Sequence, residues 1–164
     1  MDKEEEVSLD VDFAILAPVP MEHLQSGRCV AAKEGFVAFG SMKWEFFRRV
    51  DELRHGREVR VLLYPSHEGV PAKLSYRVAW FGWYTRHVES KGGVHPDGMK
   101  HRPPTTAGEG DWAVFWHVEG LREWPQERHL RIGEIETVKG GWRKNAPPRG
   151  PELVAVPYDL SNEE

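Results

Sequence analysis

From Val59 onward the apolar residues of this chain recur at every second position, and that change of period excludes most folds. Val59, Val61 and Leu63 alternate with Arg60, Leu62 and Tyr64. Leu74, Tyr76, Val78 and Trp80 share one face of a longer run, and Trp112, Val114, Trp116 and Val118 share one face of another. A period of two marks a half-buried β-strand. Ahead of it, Phe46, Val50 and Leu53 recur at i, i+4 and i+7 with Trp44 and Phe47 beside them. That spacing predicts one strong helix near residues 42–55, with Ser41 as N-cap and Gly56 as the stop. One early helix among five to seven strands argues against all-helical and doubly wound parallel architectures. It predicts an α+β domain on a small bent or closed β-barrel. Gly82, interior to a strand, predicts the bulge or sharp bend that such a barrel needs at a corner.

The weaker segments complete the expected order. Phe13–Ala17 reads as a short buried strand stopped by Pro18 and Pro20, and Met21–Gln25 as one helical turn. Cys29–Ala32 and Phe36–Phe39 read as two short strands around a turn at Glu34-Gly35. Leu130, Ile132, Ile135 and Thr137 form a strand whose phase shifts at Gly133, and Leu153–Val156 closes the sheet. Two stretches interrupt the strands, Ser90–Gly110 and Lys139–Gly150, both rich in glycine and proline. Loops of that length inside a compact domain are usually functional or disordered. The expected organisation is an acidic flexible N-terminus over 1–12, one domain over 13–157 and an acidic tail over 158–164.

Charge is distributed unevenly along the 164 residues. The net −4 comes from 22 basic and 26 acidic side chains. Residues 1–12 hold six acids against Lys3 alone, and residues 151–164 hold four acids and no base. Residues 13–150 therefore carry 21 bases and 16 acids, a net +5, together with all eight histidines. A basic body favours phosphate-bearing partners through counterion release. The single cysteine, Cys29, excludes an internal disulfide and any multi-cysteine zinc site; next to Val30 it reads as a small hydrophobe rather than a nucleophile. No apolar run approaches a membrane span, and the start Met1-Asp2-Lys3-Glu4-Glu5-Glu6 is the opposite of a signal peptide, so a cytoplasmic location without membrane contact is expected.

Residues 36–125 resemble the PUA-like superfamily, closest to its EVE domains. The resemblance is carried by Phe36-Val37-Ala38-Phe39-Gly40 before the helix, Gly56-Arg57-Glu58-Val59 opening a strand, and Leu62-Leu63-Tyr64-Pro65-Ser66 ending it. Leu74–Trp83 stands where the family has its central strand, and Trp112–Val118 with Leu121 and Pro125 resembles a later strand and its exit. Arg57 stands where the family has an acidic residue, and the family's N-terminal aromatic signature is missing. The resemblance implies a small pseudo-barrel, a non-catalytic role, no cofactor, and a pocket that takes a base of DNA or RNA, including a modified one, alone or as part of a larger protein assembly. By position the pocket would draw on Ser41, Trp44, Tyr64, Ser66 and Trp80 or Trp83.

The residues themselves support that chemistry independently. An extruded base needs flat aromatic walls, and stacking contributes ~1–3 kcal/mol per base. Hydroxyl and backbone groups read its edge, while cations hold the phosphates without regard to sequence. Arg86, Lys100 and Arg102 supply a basic rim, and Trp142, Arg143 and Lys144 sit in the second loop, stiffened by Pro147 and Pro148. Trp112 and Trp116 share a strand face with valines and are expected in the core, as is Trp80; Trp83 and Trp142 are the better exposed aromatics.

Two alternatives stand beside this reading. His95, Asp97 and His101 carry donor types that could share a divalent ion, the centre of a metal-dependent hydrolase in which His87, His117, Asp111, Glu134, Glu136 or Lys139 would be the further candidates. The two long loops could instead serve a protein-interaction module.

Overall fold

All seven residues of the strand Val59–Pro65 are buried, so both of its faces are covered. The computed structural model describes residues 12–66, 70, 77–138, 150–157 and 160. In chain order they form β1 (Phe13–Val19), α1 (Met21–Glu34), β2 (Val37–Ser41), α2 (Trp44–Arg54), β3 (Val59–Pro65), β4 (Arg77–Val78), β5 (Trp80–Glu89), β6 (Val114–Glu123), β7 (Leu130–Arg131) and β8 (Glu152–Ala155). Six strands make one mixed sheet in the order β2-β6-β5-β3-β1-β8, and β4 pairs with β7 separately. Among the described strands only β1 and β3 run parallel, with Ala14 opposite Arg60; the other pairings are antiparallel. The fold is α+β.

Strand alternation sorts side chains into two cores. Ile15, Ala17 and Val19 of β1 join Val59, Val61 and Leu63 of β3 on one face, packed with Phe47 and Val50 of α2 and Leu24 and Ala31 of α1. Ala14 and Leu16 join Leu62, Tyr64, Phe81, Trp124, Ile132, Ile135, Val154 and Leu160 on the other. The expected half-buried β3 is therefore buried on both sides, because the segment after β6 folds over the second face. Arg60 takes part in that burial at 5% exposure, its guanidinium stacked over Trp83 at 5.2 Å.

Val37 and Phe39 of β2 share the first core with β1, although three strands separate β2 from β1 in the sheet. The sheet must therefore curl. Register shifts at Phe81/Trp83 and Tyr84/Arg86 mark where β5 bends against β6. Gly82 lies at the first shift; a Cβ there would meet Val118 Cγ1 at 2.4 Å, so only glycine allows this approach. The curl stops short of a closed barrel, because no pairing joins β2 to β8 among the described residues. The outer edge of β2 is instead met by the 90–110 segment: Ala38 N–H donates to His101 O at 2.7 Å, and Arg102 Nη1 donates to Ala38 O at 2.9 Å. That covers a strand edge which would otherwise be open to pairing.

Several expected elements differ. The turn at Met21–Gln25 and the strand at Cys29–Ala32 are one helix of 14 residues, with Cys29 exposed on it. Its buried positions His23, Leu24, Gly27 and Ala31 are a narrow stripe with small members, too faint to show as periodicity. Gly27 is in that stripe because a Cβ there would press within 3.3 Å of Val37. Gly35 ends the helix in the left-handed conformation, φ 96°, its N–H bonded to Ala31 O. The predicted helix near 42–55 spans Trp44–Arg54, with Lys43 at the N-cap and Ser41 Oγ accepting the Lys43 N–H at 3.0 Å. Gly133 lies in a 3₁₀ turn, Ile132–Glu134, instead of a bulged strand. The expected strand positions Leu74 and Tyr76 lie outside the described residues.

Candidate functional site

Where the curled sheet brings β1 and β2 together, a cavity of about 390 Å³ opens. The end of β1, the start of α1, the end of β2, the turn into α2, Trp116 of β6 and the stretch 102–112 line it, with Ser66 after β3 and Gly150-Pro151 at its border. Its apolar wall is aromatic. Trp116 is 3% exposed and stacks on Phe47 at 5.3 Å, and Phe39 tilts against it at 5.4 Å. Trp112 completes the wall by lying against the backbone of Gly40, where a Cβ would fall 2.5 Å from the indole Cγ. The Trp112 indole N–H is buried with no hydrogen-bond partner among the described residues.

The polar lining comes from Ser41, Lys43, Arg102, Thr106, His23 and Glu109. The Ser41 hydroxyl oxygen accepts from Lys43 N–H, which turns the chain from β2 into α2 and leaves the hydroxyl proton to donate elsewhere. Arg102 is 5% exposed and lies over the Phe115 ring at 4.9 Å. Burial pulls its pKa down, opposed by Glu109, whose Oε1 stands 3.7 Å from Nη2. That distance is an ion pair but not a hydrogen bond. The other Glu109 oxygen is 3.2 Å from His23 Nε2, and His23 Nδ1 is 2.7 Å from Thr105 Oγ1. The Thr106 hydroxyl donates to Pro103 O at 2.6 Å, closing the turn that carries Glu109 to the cavity.

Of the residues expected from the sequence, Ser41, Ser66 and Arg102 meet at this cavity. Trp80 and Tyr64 do not; they are 1% and 4% exposed, sealed in the first and second cores. Trp44 is exposed and stacks with Arg48 at 5.4 Å, outside the cavity lining. Trp83 borders a separate depression with Gly56, Arg57 and Glu58. Lys100 is exposed in the turn before His101. Trp142, Arg143 and Lys144, like Lys139, lie outside the described residues. Sequence reading missed His23, Lys43 and Glu109 and placed Trp112 in the core. One signal pointed to the site: an isolated glycine inside a strand, Gly40, marks a close approach, here by Trp112.

His95, Asp97, His101 and Arg86 line a different cavity of about 350 Å³ with Phe36, His117 and Glu119. Phe36 stacks on His101 and on His117, each with centroids 4.2 Å away. Two rings that close and nearly parallel to Phe36 must occupy its opposite faces. Asp97 N–H donates to His95 Nδ1 at 3.0 Å, so the His95 proton sits on Nε2. It then donates across 3.2 Å to His117 Nε2, which leaves His117 protonated on Nδ1. Burial lowers the pKa of both imidazoles, that of His117 to about 4. The expected metal set does not assemble: Asp97 offers its backbone to His95, and no group of three His, Cys, Asp or Glu side chains could hold an ion among the described residues.

Elsewhere Asp51 gathers a surface network, taking Arg54 Nε at 2.7 Å and the Tyr84 hydroxyl at 2.9 Å on Oδ1, with His87 Nδ1 2.8 Å from Oδ2. Burial, then Asp51, raises the Tyr84 pKa. His87 is thereby held away from the His95 cavity. No helix among the described residues is long and apolar enough to cross a membrane. In comparisons with protein-family models, curated proteins and solved structures, none matches the chain.

Proposed function

We propose that this chain is a non-catalytic nucleic-acid-binding module of PUA-like pseudo-barrel form that takes a single base into the cavity between β1 and β2. The observation that carries the reading is the pairing of two features in one space of about 390 Å³: indole walls from Trp112 and Trp116, and the buried cation Arg102 with Ser41 and Lys43 beside it. Flat walls suit a planar ring, and the polar groups suit its hydrogen-bonding edge. A purely apolar ligand would leave the part of the buried Arg102 guanidinium not bonded to Ala38 O without a hydrogen-bonded acceptor among the described residues, which is costly. Lys43 at the start of α2 adds the attraction for phosphate that precedes any reading of the base.

The test is titration of the intact chain with single-stranded and duplex DNA and RNA, followed by tryptophan fluorescence. Quenching is expected because Trp112 and Trp116 line the cavity, and affinity should fall steeply between 50 and 200 mM salt, by roughly three-fold for each phosphate contacted. Equal affinity at both salts, or no change in emission on binding, would overturn the proposal.

A further inference from the structure

The cavity has more unspent hydrogen-bond donors than acceptors, and their placement selects among bases. Among the described residues the Arg102 guanidinium makes one hydrogen bond, Nη1 to Ala38 O, and its only carboxylate neighbour, Glu109, stands 3.7 Å from Nη2. The rest of a planar guanidinium, nine-tenths buried, thus lines the cavity without a hydrogen-bonded acceptor among the described residues. Such a fork is satisfied by two adjacent acceptors on one planar group. A bare carboxylate or phosphate would supply two, but it would then lie against Glu109, whose own charge opposes it. A ligand that satisfies both must present paired acceptors toward Arg102 and a donor toward Glu109.

Resting on the base-binding reading above, we infer that the cavity selects guanine or cytosine over adenine, uracil and thymine. Guanine offers O6 and N7 side by side with the N1 proton next along its edge; cytosine offers O2 and N3 beside its amino group. Adenine places its amino group between its acceptors, and uracil and thymine separate their two carbonyls by an N–H. Arg102 and Glu109 then act as a two-part filter: the guanidinium takes the acceptor pair and the carboxylate takes the neighbouring donor. Ser41 keeps a hydroxyl proton for a remaining acceptor.

Nine-nucleotide uridine strands with the three central positions replaced by G, C or A, compared with the all-uridine strand, test this directly. The G and C strands should bind at least about five-fold more tightly than the A and U strands, the lower limit for one bidentate base contact. Arg102→Lys keeps the charge and removes the fork, so that preference should collapse toward unity while the salt dependence stays. Because Arg102 also packs on Phe115 and holds Ala38, Glu109→Ala at the half-exposed rim gives a second variant, which should shrink the same preference without unfolding. Four equal affinities, a preference for A or U, or a G/C preference untouched by either substitution would overturn the inference and leave base binding standing. No binding by any strand would overturn both.

Discussion

Acidification from neutral pH should weaken this fold through the His117 imidazole, and the structure sets the size of the effect. His117 is 6% exposed, stacked on Phe36, and accepts the His95 Nε2 proton. Burial, followed by the charges of His95, Arg86 and His101, lowers its pKa to about 4 against partial opposition from Asp97; Glu119 shares the same cavity. In the unfolded chain the group takes its proton near the ordinary value of ~6.5. Between those limits the unfolded state binds one more proton than the folded state, so stability is whole above about pH 6.5 and is lost as pH falls toward 4. The slope is ~1.4 kcal/mol per pH unit. By pH 5 the loss is about 2 kcal/mol, or roughly 4–8 °C in Tm for a domain of this size. Urea denaturation at half-unit steps from pH 7 to pH 4.5, on the native chain and on His117→Gln, isolates the term. Glutamine reaches as far as Nε2 and still offers an acceptor to His95, but it does not titrate. The variant's plot of unfolding free energy against pH should be shallower by about one proton's worth, ~1.4 kcal/mol per unit. Parallel plots for the two proteins would refute the reasoning.

Other substitutions separate the cavity from the core. Gly40→Ala drives a Cβ against Trp112, so nucleic-acid affinity should drop at least several-fold while thermal melting shows a folded chain. Gly82→Ala, placed 2.4 Å from Val118 Cγ1, should cost about 1–3 kcal/mol of stability by overpacking, read from urea midpoints. Trp116→Ala should cost about 3–5 kcal/mol because that ring is buried between Phe39 and Phe47. Trp44→Ala, by contrast, should change stability by no more than about 0.5 kcal/mol, since its ring is exposed and outside both cores.

The strands with strong alternation were legible because each face repeats. Val59, Val61 and Leu63 point one way whatever surrounds them, and Gly82 announced its bulge by lacking a side chain. Helix α1 was not legible, since its buried stripe is built from Gly27, Ala31 and His23 beside Leu24. Residues that small pack closely against β2 without registering as hydrophobic. The 90–110 segment read as an open loop because its order comes from distant partners: His101 and Arg102 on Ala38, His95 on His117. The resemblance placed Trp80 and Tyr64 at a pocket, whereas alternation put Trp80 in the core, where it lies; Tyr64 is sealed in the second core because both faces of this sheet are covered.

Period, turn residues and charge along the chain were enough to establish an α+β domain with a bent sheet, a helix near residues 42–55 and a basic middle. These depend on neighbours within a few residues, and a sequence displays such neighbours directly. The gathering of Ser41, Arg102, Glu109, Trp112 and Trp116 around one cavity was decided by the curl that brings β2 round to β1. That curl arises from register shifts between β5 and β6 and from a loop folded across a strand edge, contacts between residues far apart in the chain that no local pattern encodes.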